Sequence, residues 1–100
     1  MLDGDLELDD VGDYDLGSGT RASWSTTKEG DVVGLVEFHT CNGSVNGGAV
    51  MLETGYGPTS LWHVDAGEAG VWEGLTLSPS IACGECGHHG WIRDGKWVPA

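Results

Sequence analysis

Glycine recurs 18 times in these 100 residues, so often that no stretch longer than about ten residues combines a helical period with freedom from it. A chain of this length carries about seven glycines on average. Each one fixed inside a regular element costs roughly 0.5–1 kcal/mol relative to alanine. The excess therefore costs several kcal/mol, comparable with the ~5–15 kcal/mol that holds a typical domain together. Leu, Ile, Val and Phe supply only 21 residues, close to the level below which a highly charged chain stays disordered. These limits imply one small, mainly β domain, a sheet or sandwich with little helix, held by something besides apolar burial.

Charge divides the chain. Residues 1–15 contain seven carboxylates, Asp3, Asp5, Glu7, Asp9, Asp10, Asp13 and Asp15, and no lysine or arginine. Residues 1–20 read as a solvated acidic arm and residues 21–100 as a single β-rich domain. An EF-hand does not fit the arm, because its sixth and twelfth loop positions would be Leu8 and Tyr14 instead of glycine and glutamate. The net charge of −12 disfavours nucleic acid and anionic membranes as partners and leaves another protein. No apolar run approaches the ~20 residues of a membrane span, and Met1-Leu2-Asp3-Gly4-Asp5 lacks the basic flank of a secretory signal. A soluble, unexported protein is expected.

Candidate strands run from Trp24 to Thr27, Val32 to Phe38, Ala49 to Thr54, Ser60 to Val64 and Val71 to Leu77, most of them punctuated by glycine, asparagine or Pro58. The last hairpin is specified in detail. Asp94-Gly95 suits both central positions of a type I′ turn, which pairs Arg93 with Lys96, Ile92 with Trp97 and Trp91 with Val98. Alternation then puts Ile92 and Trp97 on one face and Trp91 and Val98 on the other. Two apolar faces on one hairpin, with five tryptophans in the chain, mark Trp91 and Trp97 as candidate partner-binding residues. Their plainer reading is that both cap the core.

Three cysteines in a chain without an export signal point to reduced thiols rather than a disulfide framework. Cys83-Gly84-Glu85-Cys86 is a Cys-x-x-Cys knuckle with His88 and His89 directly behind it. Zinc prefers four tetrahedral ligands. Cys41, in the Cys41-Asn42-Gly43 turn, is the candidate third thiolate, and His89 is preferred to His88 as the imidazole because the Cys-Gly-x-His step clears the tight turn. His39 shares strand parity with Cys41 and competes as a ligand, although a satisfied histidine on a sheet face is the preferred account of it. The set Cys41, Cys83, Cys86 and His89 is closed, so its zinc would be structural, and structural zinc supplies ~10–16 kcal/mol in small peptides. A redox pair would need a βαβ setting that this stretch lacks.

Catalytic templates find little to hold. There is no His-x-Glu before the knuckle and no proline before Cys83, as a zinc deaminase requires, and neither a His-Glu-x-x-His helix nor a Gly-x-Ser-x-Gly elbow occurs. If Cys41 were not a ligand, the metal would keep an open position with Glu85 as a base.

Leu75-Thr76-Leu77-Ser78-Pro79-Ser80-Ile81, then Cys83, Cys86-Gly87-His88-His89-Gly90 and Ile92-Arg93-Asp94-Gly95-Lys96, resembles a family of small phage, prophage and bacterial proteins. That family is marked by Thr-x-Ser-Pro-Ser-Ile, Cys-Gly-x-His and Ile-Arg-x-Gly. The resemblance covers roughly residues 71–98; it places Cys86 and His89 on the family's cysteine and histidine positions and Cys41 on its upstream cysteine. Members often carry a fuller Cys-Pro-x-Cys cluster where this chain has Cys41-Asn42-Gly43-Ser44. The resemblance implies zinc binding and phage association and no established activity. The expectation is a non-enzymatic, zinc-stabilised phage accessory protein, in the host cytoplasm or the virion, that binds a capsid or tail protein. The alternative is a zinc-dependent enzyme, or an accessory of a bacterial protein-modification pathway, with an open metal site near Glu85.

Overall fold

The computed structural model describes residues 7–52 and 62–100. Apart from one turn of 3-10 helix at Leu8–Asp10, its regular structure is β throughout. Four antiparallel strands, β1 (Tyr14–Gly17), β2 (Thr20–Thr26), β3 (Val32–Cys41) and β4 (Ser44–Met51), lie in sequence order in one sheet. A two-stranded sheet joins β5 (His63–Glu68) to β6 (Val71–Ser78), and a three-stranded sheet joins β7 (Ile81–Ala82), β8 (His89–Arg93) and β9 (Lys96–Pro99). Among the described residues no helix is long and apolar enough to cross a membrane. Asp3, Asp5, Pro58 and parts of two expected strands, residues 53–54 and 60–61, lie outside the described residues.

Turn chemistry sets the registers. Asn42 and Gly43 adopt φ of 53° and 87°, and Asp94 and Gly95 φ of 52° and 72°, the positive pairs that let a two-residue loop follow the right-handed twist of its strands. The first pairs Cys41 with Ser44. The second pairs Arg93 with Lys96, Ile92 with Trp97 and Trp91 with Val98, as the dipeptide predicts. Gly95 is also a docking point, since a Cβ there would collide with the Trp72 carbonyl oxygen. Its N–H donates to the Leu75 carbonyl at 2.8 Å.

Alternation along the strands sends Leu16, Ala22, Leu35, Val50, Leu52, Leu75, Leu77, Ile81, Ile92 and Trp97 into one core. Tyr14, Trp24 and Trp72 stack at its margin, with ring centroids 5.1 Å apart for Tyr14–Trp72 and 4.2 Å for Trp24–Trp72. The inward face of β3 changes character along its length. Leu35 is core, whereas Glu37, His39 and Cys41, two residues apart in turn, continue the same face as buried polar groups. Two elements exceed their sequence expectation. Residues 14–17 of the acidic stretch form β1, and β4 begins at Ser44, because β3 offers a full ladder to Asn46-Gly47-Gly48, a tripeptide that reads locally as a turn.

Candidate functional site

The end of a strand and a loop bring sulfur and nitrogen together where the first sheet meets the third. β3 delivers His39 and Cys41 on its inward face, only 3% and 5% exposed. The β7–β8 connection delivers Cys83 and Cys86, closed on itself by Cys83 N–H to His88 O at 2.7 Å and Gly87 N–H to Cys83 O at 3.1 Å. Cys41 Sγ stands 3.8 Å from Cys83 Sγ, and His39 Nε2 3.4 Å from Cys86 Sγ. All four donor atoms lie within 4.8 Å of one another, a spacing that one metal ion could bridge.

The electrostatics suit a cation. Backbone N–H groups of Glu85 and Cys86 point at Cys83 and pull its thiol down to about 6. A hydrogen bond with Cys86, with burial and Cys83 adding to it, pushes the Cys41 thiol up to about 12, so an ion must displace its proton. His39 Nδ1 and Glu37 Oε2 are 2.6 Å apart with both side chains 3% exposed. Burial raises the Glu37 carboxyl despite the pull of His39. Burial alone would lower His39, but the Glu37 contact and the hydrogen bonds to Cys83 and Cys86 outweigh it and leave it raised. With Nδ1–H donating to Glu37, His39 presents its Nε2 lone pair to the thiols, the usual arrangement of a carboxylate-oriented metal histidine. Glu37→Gln is expected to weaken metal binding about 10–100-fold, read by competition with a chromophoric chelator. Unchanged affinity would remove the orienting role.

His88 does not join the thiols. Its ring is stacked between His39, at 4.1 Å, and Trp97, at 4.7 Å. Its Nε2 is 3.1 Å from Thr20 Oγ1 and 3.8 Å from Glu37 Oε2. Burial and neighbouring His39 push it below its ordinary value. Glu37, His39 and His88 make a second trio spaced closely enough for a metal ion.

His89 is placed elsewhere, with its Nε2 2.8 Å from Ser80 Oγ. The register explains the meeting. Ala82 pairs with His89 and Ile81 with Gly90, so Ser80, Ala82, His89 and Trp91 share the outward face while Ile81, Gly90 and Ile92 are buried. Ser80 and His89 are diagonal neighbours on that face, within reach of each other. The Trp91 ring lies 5.8 Å from that of His89, and the Arg93 guanidinium sits 4.8 Å above Trp91. The turn closing this hairpin is the cysteine knuckle itself. A serine hydroxyl at hydrogen-bond distance from an imidazole is the nucleophile–base unit of acyl-transfer chemistry.

The sequence-derived candidates are thus distributed between two centres. Cys41, Cys83 and Cys86 converge with His39, and His89 pairs with Ser80. Trp91 flanks the pair and Trp97, 3% exposed, belongs to the core. Glu85 is exposed and accepts from Asn46 Nδ2 at 3.5 Å. Ser80 escaped sequence reasoning, since it reaches His89 only through strand pairing and no linear template spans the two.

A family model described as bacterial ubiquitination-like system serine protease (BubE) matches residues 20–100. No curated protein and no solved structure matches the chain significantly. The match overturns the expectation of a non-enzymatic phage accessory protein that binds a capsid or tail component, because the family is described as a protease of a bacterial protein-modification system. It likewise corrects the leaning against enzymatic activity. That leaning rested on a closed metal-ligand set and on the lack of catalytic motifs contiguous in sequence; a hydroxyl and an imidazole that meet across a strand pair escape such motifs.

Proposed function

The chain belongs to this family, the serine proteases of bacterial ubiquitination-like systems, and from that premise we propose that it hydrolyses a peptide or isopeptide bond of a ubiquitin-like modifier, with Ser80 as nucleophile and His89 as general base. The observation that carries the reading is the 2.8 Å approach of Ser80 Oγ to His89 Nε2 on an accessible face. Ser80 Oγ attacks the scissile carbonyl carbon as its proton passes to His89 Nε2. The C–N bond of the tetrahedral adduct breaks and His89 returns the proton to the departing amine. A water, deprotonated by His89 in turn, then hydrolyses the acyl-Ser80 ester. Trp91, with the Arg93 guanidinium over its ring, lies beside the imidazole.

In the same reading the ion held by His39, Cys41, Cys83 and Cys86 is zinc. Zn–S bonds of about 2.3 Å in a tetrahedron place sulfurs about 3.8 Å apart, and a nitrogen about 3.6 Å from a sulfur. The corresponding separations are 3.8 Å for Cys41–Cys83 and 3.4 Å for His39–Cys86. Four protein donors would close the coordination sphere, and the ion would then act as a clamp for the hairpin rather than a reactant.

A fluorophosphonate probe tests the nucleophile. The expected result is a single phosphonylated peptide carrying the label on Ser80, and loss of labelling in His89→Ala. A label on another serine, or none on folded protein, would overturn the assignment.

A further inference from the structure

β4 is the outermost strand of its sheet and β7 of its own, and a cavity of about 110 Å³ lies between them, walled by Gly48 and Ala49 on one side, Ile81 and Ala82 on the other, and Trp62, and bordered at one end by His39 and Cys83 of the metal cluster. We propose that this cleft is the substrate groove of the peptidase, taking an extended peptide segment whose residue against Gly48 has a small side chain. This inference rests on the Ser80–His89 reading and names the substrate class that reading leaves open.

Three observations support it. The first is position. Ser80 immediately precedes β7, and at ~3.3 Å per residue Ala82, on the same face, places the cleft about 7 Å beyond the nucleophile. The second is the edge. Met51 O is taken by the Trp62 N–H at 2.8 Å, but among the described residues no strand pairs with the outer edge of Asn46–Val50. Gly47 and Gly48 are exposed there and bring no side chain to shield it. Natural sheets normally protect such an edge. An edge unpaired among the described residues and close to a peptidase nucleophile suits strand addition by a substrate, with the main chain giving affinity and a pocket reading alternate side chains. The third is an orphan donor. The Trp62 indole N–H is buried without a partner among the described residues, and it can donate to a carbonyl of the bound segment.

The volume sets the specificity. At ~30 Å³ per water-sized volume, a cavity of about 110 Å³ favours a small side chain over an aromatic ring. A Cβ on Gly48 would meet nothing nearer than Glu37 Oε1 at 3.7 Å. Because Glu37 is itself part of the cavity wall, a larger side chain there fills the cleft without colliding with the backbone.

The test uses the zinc-loaded full chain and fluorogenic peptide amides in which each of the four residues before the scissile bond is alanine or, singly, phenylalanine. Phenylalanine at one of these positions is expected to lower kcat/KM about tenfold or more, and its acceptance at all four would overturn the groove. Gly48→Ala, whose Cβ stands 3.7 Å from Glu37 Oε1 in ordinary contact, should lower kcat/KM for the all-alanine peptide at wild-type metal content and Tm, and wild-type kcat/KM in that variant would also overturn it. Trp62→Phe, which deletes the indole donor together with part of the ring, should raise KM more than it lowers kcat at wild-type Tm; the reverse would count against the donor role. Hydrolysis of p-nitrophenyl acetate by the wild type separates the two levels of inference. A wild type inert towards this ester refutes the Ser80–His89 reading, whereas ester turnover with no side-chain preference refutes the groove alone.

Discussion

Ser80→Ala is expected to lower kcat by about 10⁴–10⁶-fold, the scale on which a serine nucleophile and its histidine act as one unit. His89→Ala should cost as much, and the double variant no more than either single one, because each change alone disables the same proton-coupled attack. The fold should be indifferent to both. Ser80 is half-buried, His89 is exposed, and the contact between them is a side-chain hydrogen bond at the surface. Surface changes of this kind usually stay within about 0.5 kcal/mol. Steady-state kinetics on protein of verified metal content is the measurement. Retention of a tenth of wild-type turnover in Ser80→Ala, or additive losses in the double variant, would show that another group performs the attack.

Removing the ion should have the second largest effect, although the ion touches no reacting atom in the proposed chemistry. Bound to the cluster, it would join the end of β3, through His39 and Cys41, to the turn that closes β7 onto β8, through Cys83 and Cys86. That same hairpin holds Ser80 against His89. Structural zinc in small peptides supplies ~10–16 kcal/mol, as much as the whole ~5–15 kcal/mol of a typical domain. A strong chelator should therefore abolish the cooperative thermal transition and peptidase activity together, and Cys41→Ser should do the same. Restoring Zn²⁺ should recover both. If stripped protein keeps its Tm and its activity, the clamp is refuted. If it keeps its Tm and loses activity, the ion belongs to the chemistry, and the open site near Glu85 becomes the better account.

The fold and the two centres were legible in the sequence to different degrees, for physical reasons. Asp94-Gly95 fixed the terminal register because two positive-φ positions leave one turn geometry, and everything from Trp91 to Val98 follows by alternation. β1 and the first half of β4 were hidden, since Tyr14 and Leu16 sit among carboxylates and Asn46-Gly47-Gly48 has the composition of a loop. The ladders that make them strands come from neighbours distant in sequence. His39 could be placed on the face of Cys41 by parity alone. Which histidine would stand beside the thiols depended on Glu37, whose buried carboxylate turns the His39 ring towards the sulfurs. The Ser80–His89 meeting was least accessible, because its strand pair, two residues on the β7 side, is joined by a six-residue connection rather than a tight turn.

The stack of Trp24 on Trp72, at 4.2 Å and 21° between planes, has an optical consequence. Indoles this close share their excited states, so the far-ultraviolet circular dichroism of the folded protein should carry an exciton couplet superposed on the weak β signal. Deconvolution of such a spectrum into backbone fractions will misjudge the strand content. The couplet itself becomes a gauge of one separation, that of β2 from β6, and Trp72→Phe should erase it.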